Sequence, residues 1–290
     1  MRVVKLIVDA GEKRERLDHL VSRRLRSVSR TQVQQLIKAG HVLWEGEALT
    51  RQARHIPGPG VLEVRLPYGD GSERFVLTAE DVLHEDNHLI AVNKPAGYPT
   101  RGRLALGDND VYEAVRRWIG DSEMPLGMPH RLDRETSGVL VFGKHKQATA
   151  EIQKAFQGGA IHKAYLAWIE GKPRKRTGRI DAPVHAPGRV LPRVDPEGKP
   201  AVTWYRVLQT CDDSSLVLAH PETGRTHQLR LHFAHLGHPI LGDSVYGTAP
   251  ADRCQLHAVR MAMVHPFTPS KLLLTAPCPS DFLRVSEVRR

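Results

Sequence analysis

Two stretches of this 290-residue chain crowd titratable side chains beside apolar runs. The first is His130-Arg131-Leu132-Asp133-Arg134-Glu135-Thr136-Ser137-Gly138, followed at once by Val139-Leu140-Val141-Phe142. The second is Glu222-Thr223-Gly224-Arg225-Thr226-His227-Gln228-Leu229-Arg230-Leu231-His232. Polar density of this kind next to a rigid element marks a loop that positions chemistry. A carboxylate held there can serve as a nucleophile or as a general acid or base. Asp133 and Glu135 also invite the reading of a glycoside hydrolase. That chemistry needs two carboxylates flanking one bond, about 5–10 Å apart, whereas residues two apart in an extended segment fall on the same side. One essential carboxylate is the preferred reading, with Glu135 a bystander.

The charge of the chain points to a polyanionic partner. Lys and Arg number 42 against 32 Asp and Glu, a net +10. Residues 1–66 hold 13 basic against 7 acidic side chains and so carry +6 of that excess. RNA or DNA is the leading inference. Cys211, Cys254 and Cys278 are odd in number and far apart, which suggests neither a disulfide framework nor a zinc ribbon. No apolar run approaches the roughly 20 residues of a membrane span, and the N-terminus lacks the pattern of a signal peptide. A reduced, cytoplasmic, monomeric protein away from membranes is expected. His227, His232, His235 and His238 raise the possibility of zinc, but no His-Glu-x-x-His pattern or neighbouring cysteine pair accompanies them. Structural or RNA-contacting histidines are expected, with no metal.

Among the elements that must hold these residues, Leu17, Leu20, Val21, Leu25 and Val28 share the spacing of one helical face over 15–28. Ser29 with Gln32 is a capping-box pattern for a second helix, buried through Val33, Leu36 and Ile37 and ended at Gly40. Residues 41–44 and 61–64 read as strands. Farther on, 89–92, 139–142 and 164–169 read as strands, and 110–119, 147–156 and 226–236 as helices. Residues 201–208 and 216–220 suggest a hairpin, and 183–200 an irregular Pro- and Gly-rich insertion. Many short strands with few helices predict an α+β protein on a mostly antiparallel mixed sheet. The domains expected are 1–67, a linker at 68–78, and 79–290.

The first domain resembles the S4-type RNA-binding domain through Arg16-Leu17-Asp18, Ser29-Arg30-Thr31-Gln32, Leu36-Ile37, Gly40-His41-Val42 and Gly46. That likeness implies a helix pair facing RNA, with Arg23, Arg24, Arg26, Arg30 and Lys38 as phosphate contacts. The rest resembles the A-type family of pseudouridine synthases that modify large-subunit ribosomal RNA. The motifs are residues 130–138, Gly-Arg-Thr-His-Gln-Leu-Arg at 224–230, Lys163-Ala164-Tyr165, Asn93-Lys94-Pro95-Ala96-Gly97 and Leu256-His257-Ala258.

This resemblance implies isomerisation of uridine in RNA, in which the bond from N1 to C1′ breaks and C5 joins C1′; uracil stays in the pocket and nothing is oxidised or hydrolysed, so no cofactor or metal is implied. Asp133 matches the essential aspartate, acting on the sugar as nucleophile or as base at the 2′ carbon. Arg230 matches an arginine that pairs with it, lowering its pKa and fixing its plane. Tyr165 matches a tyrosine that stacks on the base, and its hydroxyl could assist proton transfer at C5. The target must be flipped out of its stack. Arg131, Lys163, Arg225 and His227 are expected RNA contacts, Arg131 also a filler of the vacated space. Large-subunit ribosomal RNA is the expected substrate. The rival is a catalytically silent RNA-binding or ribosome-assembly protein.

Overall fold

The structure is a computed structural model that describes the chain except residues 1, 10–14, 26–29, 52–54, 56–57, 67–74, 103–109, 121–124, 189, 250 and 283–290, and the side chains of residues 2, 31, 32, 35 and 66. Two units result, one of Met1–Arg74 with Gly102–Asn109, the other of Phe75–Arg101 with Asp110–Arg290. The first contains β1 (Arg2–Val8), α1 (Leu17–Arg24), α2 (Arg30–Lys38), β2 (Val42–Trp44), β3 (Glu47–Ala48) and β4 (Gly60–Leu66). Its sheet runs β1-β4-β2-β3, antiparallel throughout. The apolar spacing works as anticipated: Leu17, Leu20 and Val21 meet Val33, Leu36 and Ile37 over Val42, Leu62 and Val64. The expected end of the first helix and the Ser29 cap lie outside the described residues.

Asp18 ties the two helices together. Its buried carboxylate accepts from Arg16 Nε at 3.0 Å, Arg30 Nε at 3.0 Å and Gln34 Nε2 at 2.7 Å. Burial pushes its pKa up, but these donors outweigh burial and hold it well below the usual carboxylate range. Arg30, expected as a phosphate contact, is thus engaged in a helix bridge, and Arg23 pairs with Glu15 at 2.7 Å. Both keep about half of their surface in water. Arg24 and Lys38 are exposed, and Arg26 lies outside the described residues.

The second unit contains β5 (Val82–Glu85), β6 (Leu89–Lys94), α3 (Val111–Ile119), β7 (Ser137–Gly143), α4 (Lys146–Gln157), β8 (His162–Glu170), β9 (Thr177–Asp181), β10 (Val184–His185), β11 (Arg193–Val194), β12 (Val202–Thr210), β13 (Ser214–Pro221), α5 (Gln228–His235), β14 (Leu256–Val264) and β15 (Lys271–Thr275). Nine strands form one sheet in the order β5-β6-β7-β14-β8-β13-β12-β9, with β15 also on β14. Among the described residues the neighbours are antiparallel except β7 and β14. This is the expected α+β architecture on a mixed, mostly antiparallel sheet. Phe75 and Leu77 pack with Ile90, Val92 and Phe142, so residues 75–78 go with this unit's core rather than with a linker. Within 183–200, β10 and β11 form a two-stranded ribbon of their own.

Two local features set up the site. Gly138 has φ 112°, a region open to glycine, and an added Cβ would run into the Ala258 carbonyl where β7 meets β14. The 130–138 motif therefore ends in glycine because two strands must touch there. Helix α5 starts two residues later than anticipated, because His227 sits at its N-cap with φ 57° and ψ 19°.

Candidate active site

Asp133, Tyr165, Arg230, Arg131, Lys163, Arg225 and His227 all line one cleft of about 440 Å³. They are scattered from position 131 to position 230 of the chain, and the sheet gathers them. Tyr165 projects from β8, Arg230 from α5, and Asp133 from the loop before β7.

That loop is held from four directions. His130 Nε2 accepts from the Val141 amide at 2.9 Å, and its ring lies 4.5 Å from that of Phe156. Burial pushes the His130 pKa down to about 3, with Lys163 adding to the effect, so the ring is a neutral acceptor. Thr100 Oγ1 donates to the Leu132 carbonyl at 2.8 Å and accepts from the Leu132 amide at 3.1 Å. Arg134 Nε donates to the Gly97 carbonyl at 2.7 Å. Lys94, fully buried at the end of β6, donates to the carbonyls of Pro95 (2.8 Å), Arg134 (3.1 Å) and Thr136 (2.8 Å). Burial pushes the Lys94 ammonium down to about 7 against the opposing pull of Asp133. In the sequence Asn93-Lys94-Pro95-Ala96-Gly97 reads as a family motif that ends a strand in a turn, with no role for the lysine itself, so Lys94 was missed as the loop's internal post. A lysine ending an apolar strand was the available signal.

Arg230 requires a correction. Its expected partner was Asp133, yet it binds Asp243 bidentately, Nε to Oδ2 at 2.7 Å and Nη2 to Oδ1 at 2.6 Å. Nη2 also lies 2.8 Å from Glu135 Oε2, an ion pair outside hydrogen-bond geometry. Asp243 wins the fork because its carboxylate is fixed in the correct plane by the Val245 and Tyr246 amides at 2.9 and 3.1 Å. Burial acts against the charged forms of both partners, but their mutual bond prevails: Asp243 is pulled down and Arg230 pushed up. Glu135 is not a freely solvated carboxylate. It is half-buried, accepts from Ser244 Oγ at 2.9 Å, and has its pKa raised by burial despite Arg230. Asp243 was missed as a partner, since nothing in its spacing from Arg230 ranks it above Asp133.

The group facing Asp133 is His227, whose Nε2 lies 4.0 Å from Asp133 Oδ1. His227 Nδ1 is 3.0 Å from Tyr246 Oη, which in turn donates to the Pro192 carbonyl at 2.9 Å. Burial holds the His227 pKa below the usual imidazole value. Gln228 organises the turn that presents it: Oε1 accepts from Thr223 Oγ1 and the Arg225 amide, and Nε2 donates to the Val202 carbonyl. Tyr165 is half-buried, and burial, with Asp133 nearby, pushes its phenol well above the usual range, keeping the hydroxyl neutral. Lys163 Nζ donates to the Thr223 carbonyl, and Arg225 Nε to the Pro200 carbonyl. Arg131 is exposed and, among the described residues, makes no ion pair. His232 is engaged with Thr203 and the Ala182 carbonyl, and His238 with the Glu170 carbonyl. Such histidines hold up the fold.

A polar cleft with one accessible aspartate, an aromatic ring and cationic walls suits a flipped nucleotide. Comparison with known proteins points in the same direction. Residues 88–235 match the family described as RNA pseudouridylate synthase, and residues 15–58 match the S4 domain. An uncharacterized RNA pseudouridine synthase of Chloroflexus aurantiacus is 37% identical, with 95% of this chain and 90% of that one covered. The ribosomal large subunit pseudouridine synthase D of Vibrio parahaemolyticus is 31% identical, covering 95% and 91%. The solved structure of human RNA pseudouridylate synthase domain containing 4 is 29% identical, covers 69% of this chain and 89% of its own, and superposes with a TM-score of 0.58. The chain belongs to the RNA pseudouridylate synthase family and carries an S4 domain ahead of its catalytic unit.

Proposed function

We propose that this RNA isomerase converts one or more uridines of large-subunit ribosomal RNA to pseudouridine, with Asp133 as the one essential carboxylate. The observation that carries this reading is the position of Asp133. It is a cleft-lining carboxylate about one-fifth exposed, on a loop braced by Lys94, Thr100, His130 and Arg134. Asp243 is buried and Glu135 largely enclosed against Arg230, and neither lines the cleft.

The uridine leaves its stack and enters the cleft, its uracil laid on the face of Tyr165. Asp133 then acts on the sugar, as nucleophile at C1′ or as base at the 2′ carbon, while the detached uracil stays in place. Arg131, Lys163 and Arg225 supply positive charge around the entrance, suited to flanking phosphates, and exposed Arg131 is placed to occupy the space the base vacates. Arg230 serves by fixing the site's framework: it joins α5 to Glu135 in the Asp133 loop and to Asp243 in the segment bearing Tyr246. The large subunit is proposed because a relative covering almost the whole chain is named for it.

Pseudouridines should be mapped in RNA from cells with the gene, without it, and with only the Asp133→Asn form. The reading expects a defined set of large-subunit sites to vanish in the second and third. Loss confined to transfer RNA would reject the substrate, and full restoration by Asp133→Asn would reject the residue.

A further inference from the structure

After C5 has joined C1′, the base still carries its original hydrogen on C5, and that proton must leave. We infer that His227 takes it, through Nε2, and that Tyr246 holds the ring in the tautomer that leaves this nitrogen bare. The inference rests on the proposed role of Asp133 in this cleft.

The tautomer follows from donor counting. Tyr246 has one hydroxyl proton, and it is given to the Pro192 carbonyl, which can only accept. Toward His227 the same oxygen can therefore only accept, so Nδ1 carries the hydrogen across the 3.0 Å contact. A neutral ring then presents a lone pair at Nε2, and the left-handed backbone at φ 57° turns that nitrogen into the cleft, 4.0 Å from Asp133 Oδ1. A left-handed histidine is uncommon, and here Tyr246 and the start of α5 fix it. If Asp133 touches the sugar at C1′, then C5, one carbon–carbon bond away, comes within reach of a group beside that carboxylate.

The other candidates are less suited. His130 Nε2 already accepts from the Val141 amide. Tyr165 is kept as a neutral phenol, a donor rather than a base. Asp133 is required at the sugar. The step balances by either sugar route. The C5–H bond breaks, its electron pair becomes the C5–C6 double bond, and the C6–N1 π pair takes a proton at N1. The proton from C5 rests on His227 and is passed to N1 or to water, so nothing is oxidised or reduced.

The test compares single-turnover rates on large-subunit ribosomal RNA transcribed with protium or deuterium at uridine C5, read as pseudouridine by mass spectrometry. His227→Asn keeps a side chain that tolerates the left-handed backbone and can still meet Tyr246, but it lacks a nitrogen at the Nε2 position. It is expected to lose about 100-fold or more in rate and to show a larger C5 isotope effect than the unchanged enzyme. Tyr246→Phe should show the same isotope signature with a smaller loss. A slowed His227→Asn without an enlarged isotope effect would mean a structural role and overturn the inference. So would an undiminished rate, or an enlarged isotope effect in Tyr165→Phe but not in His227→Asn. Failure of the underlying reading is separate, since it shows as an active Asp133→Asn enzyme.

Discussion

Asp243→Ala is the substitution that most severely tests the ionic framework behind the cleft. The Asp243 side chain is fully buried and satisfies four donors, Arg230 Nε and Nη2 and the amides of Val245 and Tyr246. Its removal leaves a guanidinium that is 3% exposed with Glu135 alone, and frees the turn that carries Tyr246. Breaking a buried pair from one side costs about 3–5 kcal/mol. For a unit of this size that is a fall in Tm of about 6–20 °C. Glu135→Gln is the contrast. Burial already disfavours ionised Glu135, and glutamine keeps an acceptor for Ser244 Oγ, so the expected loss is about 1 kcal/mol or less. Differential scanning calorimetry at neutral pH reads both. Equal melting of the two variants, or an Asp243→Ala protein as stable as the unchanged one, would refute the assignment of Asp243 as the principal partner of Arg230.

Three further outcomes are expected. Burial lowers the Lys94 pKa to about 7 in the folded protein from an ordinary 10.5, so between these pH values the unfolded chain binds more protons and stability rises with pH. Urea unfolding at pH 7.5 and 9.5 should show this gain in the unchanged protein and not in Lys94→Met. Gly138→Ala places a Cβ against the Ala258 carbonyl at a positive φ, and should cost about 3 kcal/mol or more, seen as a lowered urea midpoint. Arg131→Ala should weaken RNA binding and reduce the slope of log affinity against log salt by about 1, measured by filter binding.

Legibility in the sequence followed local physics. Helix α3 was readable from end to end because Asp110 caps it through the Glu113 amide and Gly120 closes it in the left-handed region. The α1–α2 pair and the β12–β13 hairpin were readable from apolar spacing and a polar turn. Strand β1 was not, because Val3 and Ile7 are apolar yet exposed, which hides the two-residue period of its burial. Strands β14 and β15 went unread because the register of β14 depends on distant partners in β7 and β8. The site's membership was legible in its motifs, while its wiring was not. Which acid among Asp133, Glu135 and Asp243 would hold Arg230 most tightly depends on where residues 239–247 fold back onto α5, and spacing does not encode that. The left-handed turn at His227 is likewise a tertiary product, since a helical pattern from 226 gave no sign of it.

One aspartate, and not a pair of carboxylates, is proposed to perform the chemistry. Tritium release from C5-labelled uridine in large-subunit ribosomal RNA tests this point most directly, with Asp133→Asn and Glu135→Gln measured beside the unchanged enzyme. No release above background is expected for Asp133→Asn, and most of the activity for Glu135→Gln. Substantial release by Asp133→Asn, or equal and complete loss in both, would contradict it.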